Sequence, residues 1–180
     1  MYVLKNIFIG GVAKSGKSRL AKKICNNSNY NHIPVDYFAS SFKHNFNEIG
    51  ITSDVVINKK SSGKLALFLS RFIEIAESNT DEFFILDSAH IMPEDIVKYL
   101  DSNKWDVYYL GYPNMTAVDK CNELNEYVKD GWVQKYNEEE LMKKLDSLIE
   151  LSKIIQEQCC DYNIKFIDTS YKDVLDIYNL

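Results

Sequence analysis

Arginine is nearly missing from this chain of 180 residues: Arg19 and Arg71 carry the only guanidinium groups, and lysine supplies the remaining positive charge. Few arginines means few of the rigid two-pronged donors that proteins use to clamp phosphate and carboxylate. Three prolines and seven glycines exclude a collagen-like or low-complexity architecture. The four cysteines, Cys25, Cys121, Cys159 and Cys160, form no CxxC pair and have no histidine at ligand spacing. That argues against a zinc site or a thioredoxin-like motif and leaves small thiols of a reducing compartment. No stretch approaches the ~18 apolar residues of a membrane span. Met1 to Gly10 lacks the charged head and long apolar core of a signal peptide, so the cytoplasm is the expected location. The formal net charge is −5, and the pairs Lys22-Lys23, Lys59-Lys60 and Lys143-Lys144 are too short to form a basic patch. Nucleic acid and anionic membrane are therefore not expected partners.

What is present is a full apolar core and a regular alternation of elements. Hydrophobic residues make up 46% of the chain, enough for one globular domain spanning 1–180. Short, non-alternating apolar runs at Val3–Ile9, Ile33–Val35, Phe83–Leu86, Val107–Leu110 and Ile164–Ile167 read as buried strands. Between them, apolar residues recur at helical spacing: Leu20 to Cys25, Leu65 to Ala76, Pro93 to Leu100, Thr116 to Tyr127 and Leu141 to Cys159. Asp168-Thr169-Ser170 looks like the cap of a last short helix. Strands of this kind separated by helices predict a parallel sheet covered on both faces, a doubly wound α/β sandwich. Pro34 cannot donate to a sheet ladder, which places its strand at an edge. Two stretches fit the layers poorly, Phe46–Ser62 and Val128–Asn137, and long connections of this kind tend to be functional loops or lids.

Gly11-Val12-Ala13-Lys14-Ser15-Gly16-Lys17-Ser18 matches G-x-x-x-x-G-K-[ST] in full. Each residue type has a physical reason. Glycine lets the backbone curl and approach phosphate where a Cβ would collide. The loop amides and the following helix N-terminus then face the anion. Lys17 is placed to reach the β- and γ-phosphates, and the Ser18 hydroxyl to ligate Mg²⁺. By average residue usage the pattern arises by chance in such a chain on the order of 1% of the time, and the strand before it and helix after it cut that further. ATP and Mg²⁺ are thus the expected cofactors. Phe83-Phe84-Ile85-Leu86-Asp87 ends a buried strand in a carboxylate, which either holds the cation or its water or simply caps the strand.

With these elements the sequence resembles the nucleoside/nucleotide kinase group of P-loop proteins, which includes adenylate-kinase-like, shikimate-kinase-like and gluconate-kinase-like enzymes. The resemblance runs over most of the chain. It rests on the phosphate loop, on Val35-Asp36 and Ile85-Leu86-Asp87 ending strands, on Tyr108 to Pro113, and on Phe166-Ile167-Asp168-Thr169-Ser170. It implies a three-layer α/β/α sandwich of the P-loop NTPase type, with a parallel five-stranded sheet in the order 2-3-1-4-5. It also implies an acceptor-binding region at about 36–80, a lid at about 128–137, and a base-side loop containing Thr169. Arg19, next to Ser18, joins the nucleotide-contacting candidates, or else faces outward.

On the acceptor side, Asp36 stands where hydroxyl-phosphorylating relatives place a carboxylate, although a helix cap or turn is an alternative role. Such a group can hold a hydroxyl in line and accept its proton. A phosphate acceptor would be repelled by it and would call for arginines, so Asp36 and the scarcity of arginine together favour a hydroxyl acceptor. Arg71 either snorkels along its helix or points toward the acceptor. Lys43, His44 and His90 are further candidates for the cleft, and Tyr37, Phe38 and Phe42 for its wall. The expected function is an ATP-dependent small-molecule kinase acting on a metabolite or nucleoside hydroxyl. Alternatives are a nucleoside monophosphate kinase and a non-catalytic or slowly hydrolysing nucleotide-binding regulator.

Overall fold

A computed structural model of the chain describes residues 4–127 and 132–171. Five parallel strands form one sheet in the order β2-β3-β1-β4-β5: β1 (Asn6–Gly11), β2 (Tyr30–Pro34), β3 (Phe83–Ser88), β4 (Trp105–Gly111) and β5 (Lys165–Asp168). The helices are α1 (Lys17–Asn26), α2 (Asp36–Asn45), α3 (Lys59–Asn79), α4 (Pro93–Ile96), α5 (Ala117–Tyr127) and α6 (Glu138–Asp161). This is the strand order and layer plan that the sequence led us to expect. The edge position of β2 follows from Pro34, which pairs in register with Asp87 and leaves the next amide, Val35, to donate to the Asp87 carbonyl at 2.9 Å.

Alternation along the strands divides the interior into two apolar layers. Ile7, Ile9, Ile85, Leu110 and Ile167 face α1 and its Leu20, Ala21 and Ile24. Phe8, Leu86 and Tyr109 face the larger core, shared with Leu65 and Leu69 of α3 and Leu145, Leu148 and Ile155 of α6. The two long helices begin at defined caps: the Asn58 side chain accepts from the Lys60 and Ser61 amides, and Asn137 forms a capping box with Glu140. Among the described residues no helix is long and apolar enough to cross a membrane.

One expectation needs correction. The helix expected over 93–100 ends at Ile96, although the Tyr99 and Leu100 amides still bond back to the Ile96 carbonyl. The stretch 46–62 follows a defined path. It makes a 3₁₀ turn at Asn47–Ile49, passes through Gly50 at φ 73°, buries Ile51 and Ile57, and enters α3 at Lys59. The Ser61 hydroxyl and the Lys64 ammonium pin it by bonds to the Thr52 amide (2.7 Å) and the Ile49 carbonyl (2.6 Å).

Candidate functional site

The site grows from the carboxyl ends of β1 and β3, where a parallel sheet opens toward its ligands. Gly11 leaves β1 at φ 131°, and a Cβ there would sit 1.9 Å from the Leu110 carbonyl oxygen, so the loop can start only at a glycine. Gly16, at φ 92°, makes the left-handed step into α1. Between them the chain folds inward: the Ser15 hydroxyl and the Lys17 ammonium both donate to the Val12 carbonyl, at 2.9 and 2.7 Å. Lys17 is buried, and burial lowers its pKa against the opposing pull of Asp36 and Asp87. Lys120 and Lys14 add to the lowering, so four charged groups act on one ammonium.

Asp87 lies beside this loop, almost fully buried, with both oxygens engaged. Oδ2 accepts from the Ser18 hydroxyl at 2.5 Å and Oδ1 meets His32 Nε2 at 2.6 Å. Burial alone would raise its pKa, but the bonds from His32 and Ser18 and the charge of Lys17 outweigh it and hold the carboxyl below its usual range. A hydroxyl and an ionised carboxylate in contact at the mouth of a phosphate loop are hard oxygen donors of the kind Mg²⁺ takes alongside phosphate. The residues present therefore fit the cation.

Asp36 opens α2, and its Oδ1 accepts from the Ala89 amide at 3.0 Å, which ties the start of α2 to the end of β3. The side chain remains 42% exposed, and His90 Nε2 stands 3.7 Å from the same oxygen. Burial lowers the His90 pKa although Asp36 and Asp54 pull the other way. Lys43 reaches across to Asp54 at 3.0 Å, while His44 is exposed. Tyr37, next to Asp36 in the first turn of α2, is exposed, whereas Phe38 and Phe42 pack on Phe68 and Phe72 of α3. Those two rings thus act mainly as a joint between helices.

On the other side of the loop, the Tyr112 hydroxyl donates to the Ala13 carbonyl at 2.9 Å. Lys120 of α5 lies 4.3 Å above the Tyr112 ring and bonds both Glu123 oxygens at 3.0 Å. Burial lowers its pKa against the Glu123 contact. Thr169 is buried, and both its amide and its hydroxyl donate to the Gly111 carbonyl, at 2.8 and 3.1 Å. Asp168, Ser170 and Asn114 hydrogen-bond around it and give the segment after β5 a fixed shape.

The structure therefore places the loop Gly11, Val12, Ala13, Lys14, Ser15, Gly16, Lys17 and Ser18 beside Asp87, which Ser18 contacts, and near Asp36, whose charge acts on Lys17. Arg71 is not part of this group. Its side chain is 74% exposed and paired at 2.6 Å with Glu74 on the outer surface of α3, because the inner surface is taken by Leu65, Leu69 and Ile73. Arg19 is exposed on α1. Of the lid stretch 128–137, residues Val128, Lys129, Asp130 and Gly131 lie outside the described residues. Trp132–Lys135 form a 3₁₀ turn that buries Val133 and sets Trp132 against Tyr136. Sequence reasoning missed His32 and Lys120. For Lys120 the only available signal was a lysine four positions after Thr116 on an otherwise mixed helix.

Fold and loop together define a three-layer α/β/α sandwich with a phosphate-loop sequence at the end of its first strand. No protein-family profile matches the sequence, and no curated protein matches it either. Solved structures do. Shikimate kinase from Bacteroides thetaiotaomicron superposes with a TM-score of 0.59 at 16% identity, over 97% of this chain and 93% of that one. Shikimate kinase from Acinetobacter baumannii, solved in complex with shikimate, gives 0.57 at 12% identity, over 98% and 90%. A gluconokinase from Sinorhizobium meliloti 1021 gives 0.50 at 12% identity, over 86% and 97%. At such identities the likeness establishes the fold.

Proposed function

We propose that this protein is an ATP-dependent phosphotransferase that moves the γ-phosphoryl group to a hydroxyl of a small molecule. The observation that carries the reading is the convergence of three elements at the phosphate loop. These are the buried Lys17, the Ser18–Asp87 contact at 2.5 Å, and the half-exposed Asp36, whose charge acts on Lys17. The likeness to kinases named for shikimate and gluconate supports a small hydroxylated acceptor bound by residues within 36–80.

In this reading the loop amides and Lys17 hold the phosphates, and Ser18 and Asp87 hold Mg²⁺. When bound there, the cation would supply charge neutralisation at the phosphate oxygens. Asp36 orients the acceptor hydroxyl and takes its proton as the oxygen bonds to the γ-phosphorus and the bond to the ADP oxygen breaks. A carboxylate tied by the Ala89 amide yet still 42% exposed suits that task, because it is fixed in place and open to substrate. Thr169 contributes by shaping the base-side loop, and the stretch 128–137 is assigned the role of lid.

The test is incubation with Mg·ATP and a broad metabolite mixture, with new phosphorylated species followed by mass spectrometry. Phosphorylated alcohols formed by the wild type and lost in Lys17→Ala are the expected result. Conversion of nucleoside monophosphates to diphosphates would replace the hydroxyl reading with a nucleotide kinase. Nucleotide binding with no transfer would leave a regulator.

A further inference from the structure

Resting on the nucleotide–Mg²⁺ reading above, we propose that His32 is the positioning residue of the cation site, holding Asp87 in the orientation in which it serves the metal. The register makes this contact. His32 on β2 pairs with Ile85 on β3, and the pleat puts Ile85 and Asp87 on the same face, so the imidazole leans diagonally onto the carboxylate. The face is the one that α1 covers, and α1 brings Ser18 to the other side of the same carboxylate. Asp87 is thus gripped at Oδ1 by the edge strand and at Oδ2 by the helix.

The two grips differ in kind. Ser18 is itself a cation ligand in the reading above, its oxygen lone pair turned to the cation while its hydrogen stays on Asp87. His32 has no such second task. An ionised carboxylate only accepts, so the ring nitrogen facing it must carry the hydrogen, and a neutral imidazole in the Nε2–H form is sufficient. With side-chain exposures of 14% for His32 and 3% for Asp87, water is a poor substitute partner. Without His32, Oδ1 loses its partner and Asp87 can turn toward the Lys17 ammonium, whose charge already acts on it. A ligand drawn to Lys17 is a ligand withdrawn from the cation. Outer partners of metal ligands commonly act in this way, and losing one costs about 10- to 100-fold in metal affinity.

The test compares His32→Phe, which keeps a ring and removes the donor, with His32→Gln, which retains one. A non-hydrolysable ATP analogue is titrated calorimetrically with and without Mg²⁺, and Mn²⁺ binding to the nucleotide complex is read by electron paramagnetic resonance. In His32→Phe the Mn²⁺ constant should weaken about 10- to 100-fold, while cation-free nucleotide affinity stays within about threefold. His32→Gln should recover a substantial part. His32→Ala replaces His32→Phe if the latter does not fold, and carries the same expectation. Equal losses with and without cation would make His32 a general support of the fold, and an unchanged Mn²⁺ constant would remove the role altogether. Either result overturns the inference. A wild-type protein that binds no nucleotide would instead overturn the reading on which it rests.

Discussion

Replacing Lys17 by methionine separates the cost of burying a charge from the use made of it. Met fills nearly the same volume with an apolar chain and removes the ammonium. In the fold, that ammonium makes one bond to a neutral carbonyl, Val12 at 2.7 Å, and burial already works against its charge. Its loss forfeits a charge-assisted bond of about 1.5–3 kcal/mol and relieves a desolvation cost of similar order. Asp87 keeps His32 and Ser18, and Asp36 keeps the Ala89 amide and solvent, so neither carboxylate is orphaned. The net change in stability should lie within about 1 kcal/mol, or roughly 2–4 °C in Tm for a domain of this size. Nucleotide affinity has no such compensation. Losing a charged contact to phosphate worth about 1.5–3 kcal/mol weakens binding by about 10- to 150-fold. Calorimetric titration with ATP and a thermal melt on the same samples read both quantities. An unchanged dissociation constant would refute the assignment of the loop. A fall in Tm beyond about 8 °C, accompanying weaker binding, would show that Lys17 is a structural residue and that the affinity loss is indirect.

Asp36→Asn should lower turnover by about 10²- to 10⁴-fold, less if positioning dominates over proton transfer, with the ATP dissociation constant within a few-fold; full activity would remove the base. Arg71→Ala, at an exposed pair, should shift stability by no more than about 0.5 kcal/mol and leave transfer within about twofold, and a larger kinetic loss would return Arg71 to the site. Because the His90 pKa lies below its ordinary value in the fold, the unfolded chain binds the proton first as pH falls. Stability should therefore drop on acidification through about pH 6.5, and His90→Asn should flatten the decline in Tm between about pH 7 and 5. An identical slope in both proteins would show that Asp36, Asp54, Lys17 and Lys43 already balance the charge on His90.

The phosphate loop was legible because its chemistry is local: every residue it needs lies within eight consecutive positions, and its strand and helix are adjacent in the chain. Pro34 announced an edge, because a missing amide is a property of the residue itself. Asp87 could be placed at a strand end, but its partner could not. The His32 contact depends on which strands pair and in what register, and His32 and Asp87 are 55 positions apart. Lys120 was hidden for a similar reason, since its burial depends on Tyr112 lying beneath it. Arg71 was left between two roles because helical spacing gave the apolar stripe of α3 but not what packs at its border. In the structure Phe38 and Phe42 of α2 cover Phe68 and Phe72, and Arg71 is left outside, paired with Glu74.

The position of Pro34 also bears on how these molecules behave toward one another. An open sheet has two borders, and each is a potential seam along which copies could zip together. On one border β2 has only five residues, ends in a residue with no amide to offer, and passes at once into α2. On the other, β5 has only four residues and begins with an exposed lysine. Neither border presents a long run of free donors and acceptors, so ordered stacking into fibrils through the sheet is disfavoured by backbone chemistry as well as by net charge.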